Sequence, residues 1–150
     1  MLFPERGNLN HVEEGQQLQA LFDDKGLIPV VTQDSGSLEV LMVGWMNREA
    51  LEKTIASGFA HYWSRARSRL WRKGERSGQA QIVESILIDD DQDCLLIKVR
   101  LTGGASCHVG YRSCFFRRLN ITNGTTDFSL TFLESEKVYD PAQVYGEIHD

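Results

Sequence analysis

The chain has only three cysteines, and an odd number of thiols cannot all pair within one chain. That excludes a disulfide-built scaffold, and thiols that are free or metal-bound are expected in a reducing compartment, the cytoplasm. Prolines are equally scarce, at three. No internal repeat and no linker marks a second domain. No apolar run approaches the roughly 18 residues that read as a membrane-spanning helix. Met1-Leu2-Phe3-Pro4-Glu5-Arg6 lacks a basic region followed by an apolar stretch, so no secretion signal is expected. Positive charge is in deficit. The 16 Lys and Arg face 21 Asp and Glu, and the net charge of −5 argues against general nucleic-acid binding.

What is present is ordinary for a globular domain: 150 residues, 41% hydrophobic, 25% charged. A chain of this length buries roughly 70% of its unfolded surface and needs no metal to fold. Residues 1–24 read as an N-terminal helix or arm, with Leu18, Leu21 and Phe22 as a short apolar stripe. Leu27–Thr32 and Leu38–Gly44 read as strands of a hairpin. Asn47 is an N-cap, Ala50, Leu51, Thr54 and Ile55 keep a helical period, and Gly58 stops the helix. Phe59–Ser64, Ile82–Asp89 and Asp93–Leu101 read as strands, and Arg65–Gln79 as a functional loop. Phe128, Leu130 and Phe132 alternate, which predicts a short strand covering the core; the last ten residues are expected to be loose. The fold class is α+β: mostly antiparallel or mixed β-sheet with one or two short helices.

Three features carry chemistry. The first is the acidic run Asp89-Asp90-Asp91-Gln92-Asp93-Cys94. In extended backbone Asp89, Asp91 and Asp93 share one face, with Asp90 and Cys94 on the other. Converging carboxylates repel unless a cation neutralises them; the plainer reading is a solvated turn. An EF-hand is excluded, because its sixth position would be Cys94 and its twelfth Arg100. The second feature is Cys107 and Cys114 around His108-Val109-Gly110-Tyr111-Arg112-Ser113. The spacing is not that of a zinc finger, and free cysteines are often just small buried apolar residues. The polar segment between them favours a metal site instead, since three thiolates plus a water form an open zinc site. His108, beside a candidate ligand, suits proton transfer. The third feature is a basic stretch. Arg65, Arg67, Arg69, Arg72, Lys73 and Arg76 face Glu75 alone, with Trp63 and Trp71 among them. Arginine forks match phosphate, tryptophan faces take bases, and Gly74, Ser77 and Gly78 add donors. A solvated loop with two core tryptophans is the plainer alternative. His61, at the start of this stretch, is either structural or catalytic. His11-Val12-Glu13 matches half of the zinc deaminase signature, but the P-C-x-x-C partner is missing.

Four segments then occur in order: Val43-Gly44-Trp45-Met46-Asn47-Arg48-Glu49-Ala50-Leu51, Tyr62-Trp63-Ser64-Arg65-Ala66-Arg67, Leu70-Trp71-Arg72-Lys73-Gly74-Glu75-Arg76-Ser77-Gly78 and Cys107-His108-Val109-Gly110-Tyr111-Arg112-Ser113-Cys114-Phe115. Over about residues 25–118 the chain resembles the phosphoribosyl-AMP cyclohydrolase family of histidine biosynthesis. The resemblance implies an intertwined homodimer, magnesium on Asp89, Asp91 and Asp93, and zinc on Cys107 and Cys114. Family members often carry a cysteine between the first two aspartates, where this chain has Asp90. Cys94 is the expected third zinc ligand, with Asp90 as the alternative, and an intertwined dimer would let Cys94 come from one chain and Cys107 and Cys114 from the other. The tail is too short for the pyrophosphohydrolase domain fused to many relatives, so residues 1–150 are expected to form one cyclohydrolase domain: an arm over 1–24, a core over 25–118 and an extension over 119–150.

The implied reaction adds water at C6 of the adenine ring of phosphoribosyl-AMP and breaks the N1–C6 bond. Zinc-bound hydroxide would attack, His108 would shuttle the proton, and magnesium would assist. Arg65, Arg67, Lys73 and Ser77 would bind the phosphate-bearing substrate and Trp71 would pack on a ring. Two other readings stay open: another metal-dependent purine nucleotide hydrolase, and a non-catalytic zinc module binding RNA through its basic loop. The acidic cluster speaks against the second, because it would repel a polyanion.

Overall fold

The computed structural model describes residues 3–145. Along the chain lie α1 (Leu9–Glu14), β1 (Ile28–Asp34), β2 (Val40–Met46), α2 (Arg48–Ser57), β3 (His61–Ser64), β4 (Arg69–Arg72), β5 (Gln81–Ile88), β6 (Leu95–Leu101), β7 (Arg117–Leu119), β8 (Leu130–Phe132) and α3 (Pro141–Tyr145). The α+β expectation holds. The main sheet runs β2-β1-β6-β5 and is mixed: β1 pairs antiparallel with β2 and parallel with β6, and β5 with β6 antiparallel.

Alternation builds the core. Ile28 and Val30 of β1 and Leu95, Ile97 and Val99 of β6 point to one face and are buried. α2 lies over that core with Ala50, Leu51 and Thr54 inward. Its limits follow from side-chain chemistry: Asn47 accepts the Ala50 N–H at 2.8 Å, and Gly58 ends the helix at φ 77°. At Gly44 the Tyr62 ring lies so close that an added Cβ would meet it at 2.8 Å. That glycine brings the β3–β4 hairpin against β2, and the hairpin carries much of the site. No helix among the described residues is long and apolar enough to cross a membrane.

The structure corrects several expectations. The arm is helical only over Leu9–Glu14, whereas Leu18–Phe22 is not helical. The Gln19 and Leu21 N–H groups donate to the Gln92 side chain (2.6 Å) and carbonyl (2.8 Å), and these distant partners outweigh the local apolar stripe. The basic segment is not a plain loop, because Arg69–Arg72 pairs with His61–Ser64 as a hairpin. The 130–132 strand forms but does not cover the main core. All three of its residues are exposed, and Phe132 meets Tyr111 and Phe116 edge-on in a second, smaller cluster. Of the last ten residues, 141–145 form a short helix and 146–150 lie outside the described residues.

Candidate active site

The acidic run is a tight turn rather than an extended segment. Asp89 closes it: its carbonyl accepts the Gln92 N–H at 3.1 Å, and its Oδ1 accepts the Asp93 and Cys94 N–H groups at 3.0 Å each. Gln92 sits at φ 57° with its side chain turned inward, donating to the Val12 and Gln17 carbonyls and accepting from Gln19. The N-terminal arm therefore fastens the turn. The turn also breaks the expected alternation. Asp90 does not face away but joins Asp89 and Asp91, with one oxygen of each within 4.8 Å of the others. Asp93 hydrogen-bonds to both Asp91 and Asp89, and these neighbours push its carboxyl up to about 6. Burial pushes Asp89 up, but hydrogen bonds from Asp93, and from the Cys94 and Asp93 amides, outweigh it and hold Asp89 low. Such a set of crowded oxygens suits a hard divalent cation. Cys94, half-buried beside the turn, has its thiol pushed up by burial and then by the charges of Asp89, Asp93 and Asp91.

Cys107 and Cys114 form a separate centre. The loop between them closes on itself: the Gly110 N–H donates to the Cys107 carbonyl (3.0 Å) and the Cys107 N–H to the Tyr111 carbonyl (3.1 Å). It is pinned to β2 where the Cys114 N–H meets the Leu41 carbonyl at 2.7 Å and Ser113 Oγ meets that of Val40 at 2.8 Å. The two thiols share a hydrogen bond. It pulls Cys107 down to about 6 and pushes Cys114 far up, so Cys107 holds the thiolate and Cys114 donates to it. Among the described residues the three thiols do not gather into one ligand set, because Cys94 stays with the acidic turn.

Lys73 is buried against this pair. Its ammonium donates to the Ser106 carbonyl at 2.5 Å. Burial pushes its pKa down, and the neighbouring Cys114 and Cys107 side chains push back. A buried polar chain supports the same spot. Tyr62 Oη donates to Gln81 Oε1 (2.6 Å) and shares a hydrogen bond with Thr32 Oγ1 (2.7 Å), while Gln81 Nε2 reaches Ser106 Oγ at 3.1 Å. Gln81 and Ser106 did not stand out in the sequence, and Tyr62 did so only within a family segment; a buried polar network leaves no local pattern.

The thiol pair makes a pH prediction. Because Cys107 loses its proton near pH 6 rather than its ordinary 9.0, the folded state holds fewer protons than the unfolded one between these values. The stability this contributes is lost as pH falls through 6 and is greatest near the ordinary thiol pKa, above which the raised Cys114 thiol works against it. In metal-free protein, thiolate ultraviolet absorbance should rise by one thiol with a midpoint near 6. Cys114→Ala should move that midpoint up toward the ordinary 9.0; an unmoved midpoint would remove the Cys114 S–H as its cause.

Next to this centre opens a cavity of about 710 Å³. The β3–β4 hairpin and its flanks supply Trp63, Arg65, Arg67, Trp71, Lys73 and Ser77, β2 supplies Trp45, and the thiol loop supplies exposed His108. The Arg65 guanidinium stacks over the Trp45 ring at 4.6 Å, and Trp71 lies against Tyr62 with centroids 5.4 Å apart. His61 is outside the lining, its ring bonded to the Phe59 carbonyl at 2.8 Å. The structure thus brings Arg65, Arg67, Trp71, Lys73, Ser77 and His108 around one space, with Cys107 and Cys114 beside Lys73. Within one chain Asp89, Asp91, Asp93 and Cys94 make none of the cavity lining.

Comparison with known proteins shows the family. The family model described as phosphoribosyl-AMP cyclohydrolase matches residues 42–116. A phosphoribosyl-AMP cyclohydrolase of Rhodopseudomonas palustris is 50% identical over 139 residues, 93% of each chain. One from Methanococcoides burtonii is 53% identical over 124 residues, 83% of this chain and 93% of its own. One from Bordetella petrii is 54% identical over 107 residues, 71% of this chain and 80% of its own. The matched segment runs from β2 through the cationic hairpin and acidic turn to the end of the thiol loop, and the chain belongs to the phosphoribosyl-AMP cyclohydrolase family of hydrolases.

Proposed function

We propose that the chain opens the adenine ring of phosphoribosyl-AMP by hydrolysis at the N1–C6 bond, the step of histidine biosynthesis that names its family. One observation carries this reading: a cationic, tryptophan-bearing cavity ends at a histidine and a buried lysine beside a polarised thiol pair. Arg65 and Arg67 hold phosphate, Ser77 adds a hydroxyl donor, and the Trp71 face takes the purine. His108 accepts the proton of the attacking water and returns it to N1 as the bond to C6 breaks, while the water oxygen stays on C6 as a carboxamide.

The donor sets fit two metals. Thiolate Cys107 and its partner Cys114 suit zinc, with Lys73 balancing their charge. The oxygens of Asp89, Asp91 and Asp93 suit magnesium. Bound zinc would supply Lewis-acid activation of water, and magnesium would order the acidic turn or screen the phosphate end. Two thiols leave the zinc set short, and Cys94 is engaged elsewhere in its own chain. A homodimer in which a second copy supplies Cys94 or, as the alternative, Asp90 completes the set. Ile86 and Leu87, exposed on edge strand β5 near that turn, give such a contact apolar area. A soluble cytoplasmic setting follows from the reaction.

The test is turnover of phosphoribosyl-AMP by purified protein, after chelation and after zinc and magnesium are restored. Activity that disappears and returns supports the reading. Folded, metal-loaded protein without turnover overturns it, and salt-sensitive RNA binding by that protein would favour the non-catalytic module. Arg67→Ala should raise KM about tenfold or more with metal content unchanged; an unchanged KM removes its phosphate role.

A further inference from the structure

The family match stops at residue 116, yet the segment after β8 is tied to the thiol loop at every turn. The Leu133 N–H donates to the Phe116 carbonyl at 2.7 Å, and the Val138 N–H to that of Gly110 at 2.7 Å. Tyr139 Oη donates to the Cys107 carbonyl at 3.2 Å. Glu134 does most. Its two oxygens accept the N–H groups of consecutive residues, Arg112 at 2.9 Å and Ser113 at 3.0 Å, the latter directly before Cys114. Gly110, at φ 108°, has no room for a side chain because the Tyr139 carbonyl occupies it. The segment also reaches the cationic wall: Tyr145 lines the cavity, and its ring lies under the Arg76 guanidinium at 5.2 Å.

A carboxylate that accepts two successive backbone N–H groups fixes that peptide in position and orientation, and a charged acceptor makes both bonds strong. β2 pins one side of the thiol loop; nothing in β2 reaches the Arg112 N–H or the Cys107 carbonyl. We propose that residues Leu133–Tyr145 form a strap that sets the thiol loop against the cationic hairpin, with Glu134 as its positioning residue for Cys107 and Cys114. The proposal rests on the reading of that pair as a zinc centre. Residues that orient metal ligands without touching the metal typically change affinity by about 10–100-fold. A glutamine at 134 keeps one acceptor and turns an N–H₂ donor toward the second amide, so its length is right and its chemistry wrong.

The experiment compares wild type with Glu134→Gln and Tyr139→Phe in the full chain. Zinc affinity is read by competition with a coloured chelator, kcat and KM with phosphoribosyl-AMP, and amide exchange at Arg112 and Ser113 by NMR. Glu134→Gln is expected to weaken zinc binding about tenfold or more, lower kcat, leave KM within about twofold, and speed exchange at both amides. Tyr139→Phe, which removes one bond only, should weaken zinc severalfold and serves if Glu134→Gln does not fold. Unchanged zinc affinity in a folded variant overturns the strap. If wild type itself neither holds zinc nor turns over, the reading of the site has failed, and the strap stands or falls on amide exchange: unchanged rates in Glu134→Gln overturn it.

Discussion

Cys107→Ser should give a folded protein that no longer retains zinc and whose turnover is lower by a factor on the order of a thousand or more. The size follows from which thiol is changed. Cys107 is the member of the pair that carries the charge, pulled down to about 6 chiefly by the Cys114 S–H. A serine hydroxyl does not ionise in that range and is a poor ligand for zinc. The exchange also weakens two contacts: Cys114 meets a neutral hydroxyl in place of a thiolate acceptor, and Lys73 loses the charge that offsets its burial. The fold should tolerate this, because Cys107 packs with Tyr111 and Phe116 in a cluster separate from the main core. Zinc per chain by atomic emission, turnover and the urea midpoint are the three readings. A variant with full zinc and full activity would sink the ligand assignment.

Lys73→Met has the second-largest expected effect, and it separates two roles for one residue. The basic stretch of the sequence groups Lys73 with the phosphate-binding arginines. Its side chain lies in the cavity wall, but its ammonium is engaged by the Ser106 carbonyl and faces the thiols. A charge held there acts on the reacting end of the site. Loss of one preorganised donor at a reacting centre costs about a hundredfold or more in kcat. Lys73→Met should therefore lower kcat by that order with KM little changed, the reverse of Arg67→Ala. Methionine keeps most of the buried volume, so packing loss should stay small. A variant in which KM rises and kcat holds would return Lys73 to the phosphate group.

The parts legible in the sequence are those whose causes are local. Asn47 and Gly58 mark both ends of α2 because a cap and a left-handed stop act within a few residues. Leu27–Thr32 and Asp93–Leu101 read as strands for the same reason, and Ile28, Val30, Ile97 and Val99 within them are buried. The acidic run and the thiol loop stood out by composition alone. What was hidden depends on residues far apart in the chain. Leu18, Leu21 and Phe22 have helical spacing, yet Gln92 dictates the path of that arm. Asp90 was assigned the opposite face from Asp89 because alternation assumes extended backbone, and Gln92 in the left-handed region curls the run instead. Glu134 and Tyr139 sit in a stretch with little pattern of its own, and only the bonds to Arg112, Ser113 and Cys107 give them meaning.

The parallel seam in the sheet has a consequence for how the protein is made. β1–β2 and β5–β6 are both antiparallel pairs joined by short connections, and such pairs form quickly by local closure. β1 meets β6 from Val30↔Leu95 to Asp34↔Val99, across all the intervening chain. During synthesis, then, Val30 and Thr32 have no sheet neighbour on that side until β6 has left the ribosome. Long-range pairing of this kind is slow to close. Gln92 and the N-terminal arm join across the same interval, so the acidic turn takes its final shape only when the first and middle thirds of the chain have met.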